Sequence, residues 1–174
     1  MKLASAMEKS DQKSQERRHM RMRMVLAEKV YRKHPPFHSI NFDATVRETA
    51  KLLNEKNIGA LLVEMPVHED GCFAGIVSER DIIKCCANFS NFESLPISEI
   101  MQKEMITADI DDNADDTCIL MRQKHIRHIP LIENGKIVAL ISVRDLMYCV
   151  DMEKEITMQH MSDMIGATRR NESY

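Results

Sequence analysis

"GIVSERDII" at residues 75–83 and "ALISVRDLM" at residues 139–147 are two versions of one pattern. Each has an apolar run, then Ser-x-Arg-Asp, then apolar positions again. The offset between them is 64 residues. Upstream, "SINFDATVRETAKLLNEKNIGALLV" (39–63) lies over "TADIDDNADDTCILMRQKHIRHIPL" (107–131) without a gap, at an offset of 68. Asp43 meets Asp111, Thr49 meets Thr117, Lys56 meets Lys124 and Ile58 meets Ile126. The four-residue change of offset falls in "MPVHEDG" (65–71), between two predicted strands, where a loop absorbs an insertion. A long internal period of this kind marks a duplicated supersecondary unit.

Each copy reads as β-α-β-β-α. A short extended stretch (Ser39–Phe42; Ile106–Ala108) leads to a helix. In the first copy Thr45 and Glu48 have capping-box spacing, and Val46, Ala50 and Leu53, broadened by Leu52, form an apolar stripe. In the second copy Asp111, Asp112, Asp115 and Asp116 crowd the helix start, where the helix dipole favours negative charge. A strand (Ala60–Val63; Ile129–Ile132) and a turn at Asp70-Gly71 or Asn134-Gly135 follow. A second strand (Phe73–Val77; Ile137–Ile141) then runs into a helix after Ser78 or Ser142. One unit alone buries too little apolar surface, so two share a fold. Residues 88–105, with Pro96, join them. The last helix is predicted from Val143 to Ile165, ending at Gly166. It is longer than one small core needs, so its far half is expected to meet a second copy of the chain.

Composition agrees with a folded domain: 174 residues, 44 % apolar and 29 % charged. No apolar run is long enough to span a bilayer, and no signal-peptide core stands near Met1. Five cysteines (Cys72, Cys85, Cys86, Cys118, Cys149) form no C-x-x-C pair and read as reduced thiols of a cytoplasmic protein. With five glycines there is no Walker or Rossmann phosphate loop. No serine has a nucleophile-elbow context, no catalytic constellation is visible, and an enzyme is not expected.

Charge is uneven. Residues 1–34 hold ten Lys/Arg against four Asp/Glu, while residues 35–174 hold fourteen against twenty-three. The basic segment has no Gly or Pro before His34-Pro35-Pro36, and Met20, Met24 and Val30 are its candidate apolar stripe. It reads first as a solvated helix or arm. An arm touching nucleic acid or an acidic membrane face is the second reading, and a mitochondrial-type presequence, opposed by Glu8, Asp11, Glu16 and Glu28, the third.

Ser78-Glu79-Arg80-Asp81 and Ser142-Val143-Arg144-Asp145 can be plain helix caps. Yet a cap does not need the repeated Arg, and both motifs stand where strands end and ligands gather in layered folds. With "KHIRHIPLIENGK" before the second motif, the tandem resembles a pair of CBS domains, a Bateman module. The likeness covers residues 37–150 and is nearest to small stand-alone bacterial CBS-pair proteins. It implies an α+β fold of mixed layers in four parts: a basic helical or flexible segment (1–34), the two repeats (35–95 and 96–150) and a C-terminal helix extension with tail (151–174).

The resemblance also implies a regulatory module that binds adenosine ligands: AMP first, with ATP, NAD or S-adenosylmethionine as alternatives. Carried over residue by residue, Asp81 and Asp145, with Ser78 and Ser142, would hold the ribose. Ionised carboxylates are acceptor-only groups suited to a diol. Arg127, His128, Arg144 and Arg80 are the phosphate candidates. Ile40, Ala60, Leu61, Thr107, Ile129 and Pro130 would form the adenine slots. Arg127 can equally pair with a surface acid. A homodimer and an unidentified regulated protein are the implied partners. The alternative is a dimerisation scaffold whose basic arm binds nucleic acid or protein.

The copies differ where it matters. Gly59-Ala60 stand where the second copy has Arg127-His128, so unequal sites are expected, the Asp145 site being favoured for phosphate. Gly75, which many CBS domains keep, is matched by Ala139. No metal is expected. The helix should end between His125 and His128, and "DIDDNADD" fails as a calcium loop at Asp116 and Arg122. Cys85 and Cys86 are helix neighbours that cannot readily bridge each other.

Overall fold

The computed structural model describes residues 20–65 and 73–152. The elements run α1 (Met22–Tyr31), β1 (Ser39–Ile40), α2 (Val46–Lys56), β2 (Ala60–Glu64), β3 (Phe73–Ser78) and α3 (Glu79–Asn88). Two 3₁₀ turns (Phe92–Ser94 and Ile97–Glu99) follow, then β4 (Ala108–Asp109), α4 (Ala114–Gln123), β5 (His128–Glu133) and β6 (Lys136–Ser142). A helix α5 covers 143–152. The fold is α+β, with two small mixed sheets ordered β1-β2-β3 and β4-β5-β6. In both, the first pair is parallel and the second antiparallel. The duplication reaches the irregularities: the register shifts between Val63 and Glu64 in one copy and between Leu131 and Ile132 in the other.

The helix ends obey local chemistry. Thr45 and Glu48 close the capping box of α2. In the second copy the cap is Asn113, whose side chain accepts from the Asp115 and Asp116 amides. Asp115 and Asp116 lie in the first turn, while Asp111 and Asp112 stay in the turn before the helix. Asn57 and His125, equivalent positions, both take the left-handed conformation (φ 52 and 54) that stops a helix. Asn134 and Gly135 are likewise left-handed (φ 52 and 77), as a two-residue hairpin turn of type I′ requires. The matching Asp70-Gly71 turn and the four-residue insertion fall mainly outside the described residues. So does the predicted course of the last helix beyond 152.

Three apolar clusters form the core. Val46, Leu53, Leu61, Val63 and Val77 fill the first repeat; Ala114, Met121, Ile129, Leu131 and Ile141 fill the second. Ala60, Leu62 and Leu140 lie between the sheets, with Phe37 edge-on to Phe73 at 5.4 Å. Strand β2 is buried on both faces because alternate residues serve different clusters.

The segments before the repeats are exchanged. Ile97 and Met101, in the connection to the second repeat, complete the core of the first. Met20, Met22 and Val25 complete the core of the second. Residues 20–31 are therefore not a solvated helix. Of the expected stripe only Met20 is buried; Met24 and Val30 are more than half exposed, and Met22 and Val25 face inward instead. The reason is tertiary: Arg21 bridges to Asn113, and the Met22 and Arg23 amides donate to the carbonyls of Asp112 and Ile110. These bonds fix which side of α1 meets the second repeat.

Candidate functional site

Both Ser-x-x-Asp motifs do cap their helices: each Ser hydroxyl accepts from the Asp amide, at 3.2 Å for Ser142, and each carboxylate accepts from its Ser. The Ser78 amide and hydroxyl donate to Asp81 Oδ2 at 3.0 and 2.6 Å. Ser142 does the same to Asp145 Oδ2 at 2.9 and 2.6 Å. Each cap spends Oδ2 and turns Oδ1 elsewhere. The Asp81 and Asp145 residues are only 9 % and 8 % exposed, so burial without partners would be costly.

Two cavities open beside these caps, and each is built from both repeats. The first, about 420 Å³, brings Ser78, Arg80 and Asp81 together with the 124–128 segment, Pro130 and the connection from Gln102 to Ile106, Lys103 excepted. The second, about 480 Å³, brings Ser142, Arg144 and Asp145 together with the 56–60 segment and the connection from His34 to His38, Pro36 excepted. These partner segments correspond at the offset of 68. Both volumes suit a small-molecule ligand.

The candidate residues distribute unevenly. Arg80 lines the first cavity and donates to the His125 carbonyl across it at 3.2 Å. Arg144 lines the second. Arg127 and His128 line both, and the exposed Arg127 lies 3.8 Å from Glu79, so the surface pairing considered for it is present. Of the proposed adenine slots, Pro130 lines the first cavity and Ala60 the second. Ile40, Leu61, Thr107 and Ile129 line neither. Leu61 and Ile129 point from the opposite pleat into the repeat cores, where they are fully buried. Sequence reasoning missed Gln102, Met105 and Ile106 of the first cavity, and Lys29, Arg32, Phe37 and His38 of the second. For the residues of 34–38 and 102–106 the signal was available at offset 68, which superposes the two segments; Lys29 and Arg32 carried no such signal.

His128 forms part of the wall between the cavities. Burial first, then the nearby Arg127 and Lys29, push its pKa down to about 4, against the pull of Asp145. It is neutral near pH 7, able to donate or accept one hydrogen bond but not to supply charge. Arg127 is the cation of the pair. In the second cavity burial, Lys56 and Lys29 also lower the His38 pKa. Burial raises the Asp145 pKa, but the two Ser142 bonds and the Lys29 ammonium outweigh it and leave the carboxyl below its usual range.

Comparison with known proteins agrees with the fold. The CBS domain sequence profile matches residues 28–88 and 97–151. The chain belongs to the CBS domain family. Its CBS pair is 28 % identical over 108 residues to the CBS domain-containing protein YhcV of Bacillus subtilis, covering 62 % of this chain and 74 % of YhcV. Other relatives are longer: the chain spans 22 % of a homoserine O-acetyltransferase from Methanococcus vannielii, at 31 % identity over 63 % of this chain. Among solved structures, the CBS-domain protein ATU1752 from Agrobacterium tumefaciens superposes with a TM-score of 0.66 at 26 % identity, covering 75 % of this chain and 98 % of that one. The fold is shared with the CBS pair of protein MJ0100, solved with 5′-methylthioadenosine and S-adenosyl-L-methionine (TM-score 0.63, 24 % identity, 78 % and 98 % covered). It is also shared with CBSX2 solved with AMP (TM-score 0.59, 18 % identity, 68 % and 90 % covered).

Proposed function

We propose that this CBS pair is a regulatory module, not a catalyst, and that it binds an adenosine nucleotide in the Asp81 cavity. One observation carries the reading. Asp81 Oδ2 is fixed by Ser78, while Oδ1 has as its only described hydrogen bond a 3.4 Å contact from the neutral Gln102 Nε2. A buried carboxylate oxygen held in place with spare acceptor capacity is suited to ribose hydroxyls. Arg80, Lys84, Lys124 and Arg127 line the same cavity and can meet phosphate. Ile76, Met105, Ile106 and Pro130 offer apolar surface for a base. The adenosine ligands of MJ0100 and CBSX2 support the class, and AMP is the first candidate, ahead of ATP, NAD and S-adenosylmethionine.

Because each cavity is assembled from both repeats, a ligand that bridges them favours one relative placement of the repeats. Signalling to a regulated protein would follow from that shift. A second copy of the chain is the proposed companion. Ile83 on α3 and Met147 on α5 are equivalent, apolar and well exposed, at 67 % and 60 %. A light-scattering mass of twice 20.1 kDa supports this pairing and a monomer at micromolar concentration opposes it.

The nucleic-acid reading of the basic segment loses part of its charge to internal partners: Arg23 pairs with Asp111 and Glu133, and Lys29 and Arg32 pair with Asp145. The function is tested by calorimetric titration with AMP, ATP, NAD and S-adenosylmethionine, with GMP as control. Saturable binding of one adenosine ligand, and none of GMP, is expected. No binding by any of the four returns Ser-x-x-Asp to a capping role.

A further inference from the structure

The two cavities are not equivalent, and α1 is the reason. In the first, Asp81 faces one neutral amide. In the second, both oxygens of Asp145 meet cations: Lys29 Nζ lies 3.4 Å from Oδ2 and Arg32 Nη2 donates to Oδ1 at 3.1 Å. Lys29 also donates to the Leu140 carbonyl at 2.7 Å, and the Arg32 guanidinium lies 4.1 Å from the centre of the Tyr148 ring. Lys29, Arg32, Arg144 and Asp145 all line this cavity, with Glu28 3.9 Å from Arg32 Nε beside it, and Lys29 of α1 and Arg32 at its C-cap are the cations that reach the carboxylate.

Chain length explains the difference. Arg21 and Pro96 are structural equivalents, each bridging to the N-cap of the facing repeat, Asn113 and Thr45. Pro36 and Gln102 hold matching places by their bonds, their carbonyls accepting from the equivalent Leu140 and Ile76 amides, although the ungapped offset of 68 pairs Gln102 with His34. The path from Pro96 to Gln102 leaves room only for the 3₁₀ turn Ile97–Glu99, whereas the path from Arg21 to Pro36 holds all of α1. The extra residues carry Lys29 and Arg32 to Asp145.

We propose that Lys29 and Arg32 are specificity-determining residues that form a clasp on the second cavity. They satisfy Asp145 with the chain's own cations, so a ribose enters the Asp81 cavity first. It reaches Asp145 only when the last turn of α1 lets go. Hydroxyl donors are neutral and must displace charge-assisted contacts there, but not at Asp81. The ligand class rests on the function proposed above; the clasp itself does not.

Two experiments separate the claims. AMP titration of the wild type should give one site per chain. The Lys29→Ala/Arg32→Ala double variant, shown folded by its thermal melt, should give two sites, the first unchanged within about twofold. Independently, Asp145→Asn should speed amide exchange at Arg32, Lys33 and His34 roughly tenfold by weakening the charged contacts to Lys29 and Arg32, while Asp81→Asn should leave it unchanged. Two equal sites in the wild type, or fewer sites in the double variant, would overturn the clasp. If neither protein binds AMP, the nucleotide reading fails alone and exchange decides: faster exchange upholds the clasp, unchanged exchange overturns it.

Discussion

Gly59 and His128 meet across the junction of the two repeats: a methyl group on Gly59 would lie 2.9 Å from His128 Cε1. The two residues belong to the same stretch of the repeat, where one copy reads Gly59-Ala60 and the other Arg127-His128. The divergence between copies is therefore complementary. A bulky ring from one repeat occupies the space that the missing side chain of the other leaves, and this contact forms part of the wall shared by both cavities.

The half-buried ring makes stability depend on pH. His128 titrates near 4 in the fold and near 6.5 in an unfolded chain. Between these values the unfolded state binds more protons, so stability is full above about pH 6.5 and is lost as pH falls towards 4. The shift sets an upper limit of about 3 kcal/mol. His128→Gln should flatten this limb of the curve; denaturant midpoints for both proteins between pH 4 and 7 check it, and parallel curves would refute it.

Gly75 is required by a close approach. The Gln102 carbonyl would stand 2.5 Å from a Cβ at Gly75, and Gln102 and Ile76 exchange both backbone hydrogen bonds. At the equivalent place in the second repeat the facing residue is Pro36, which has no N–H to exchange and only accepts, from the Leu140 amide, beside the tolerated Ala139. Gly75→Ala should cost about 1–3 kcal/mol of stability, read as a lower denaturant midpoint, and should weaken binding in the Asp81 cavity, which Gln102 lines.

The α1 helix also completes the core of the second repeat. Met22 is fully buried in the core of the second repeat. Met22→Ala should destabilise the protein by about 2–5 kcal/mol. The exposed Met24→Ala should shift it by less than about 0.5 kcal/mol. Equal melting temperatures for the two variants would contradict the packing described.

The β-α-β-β-α duplication was legible because the internal period, the apolar strand runs, the Thr45–Glu48 capping box and the Asn-Gly turn are signals that the fold leaves in place. The Ser-x-x-Asp pairs were legible for the same reason. The exchange of Met22 and Ile97 between repeats was not, since α1 has little amphipathic pattern and its buried side is set by backbone bonds to Asp112 and Ile110. Nor was the burial of Leu61 and Ile129, which depends on the face of a strand that is buried on both sides. Lys29 and Arg32 read as solvated charges until the fold brought them to Asp145, more than a hundred residues away.

The central claim is that Asp81 holds the ribose of an adenosine nucleotide. It is tested most directly by titrating AMP into the wild type and Asp81→Asn, which keeps the size of the side chain and removes its charge. The account predicts saturable binding to the wild type and a loss of roughly tenfold to a hundredfold in the variant, as expected for a charge-assisted contact worth ~1.5–3 kcal/mol. Equal affinity in the two proteins would contradict it.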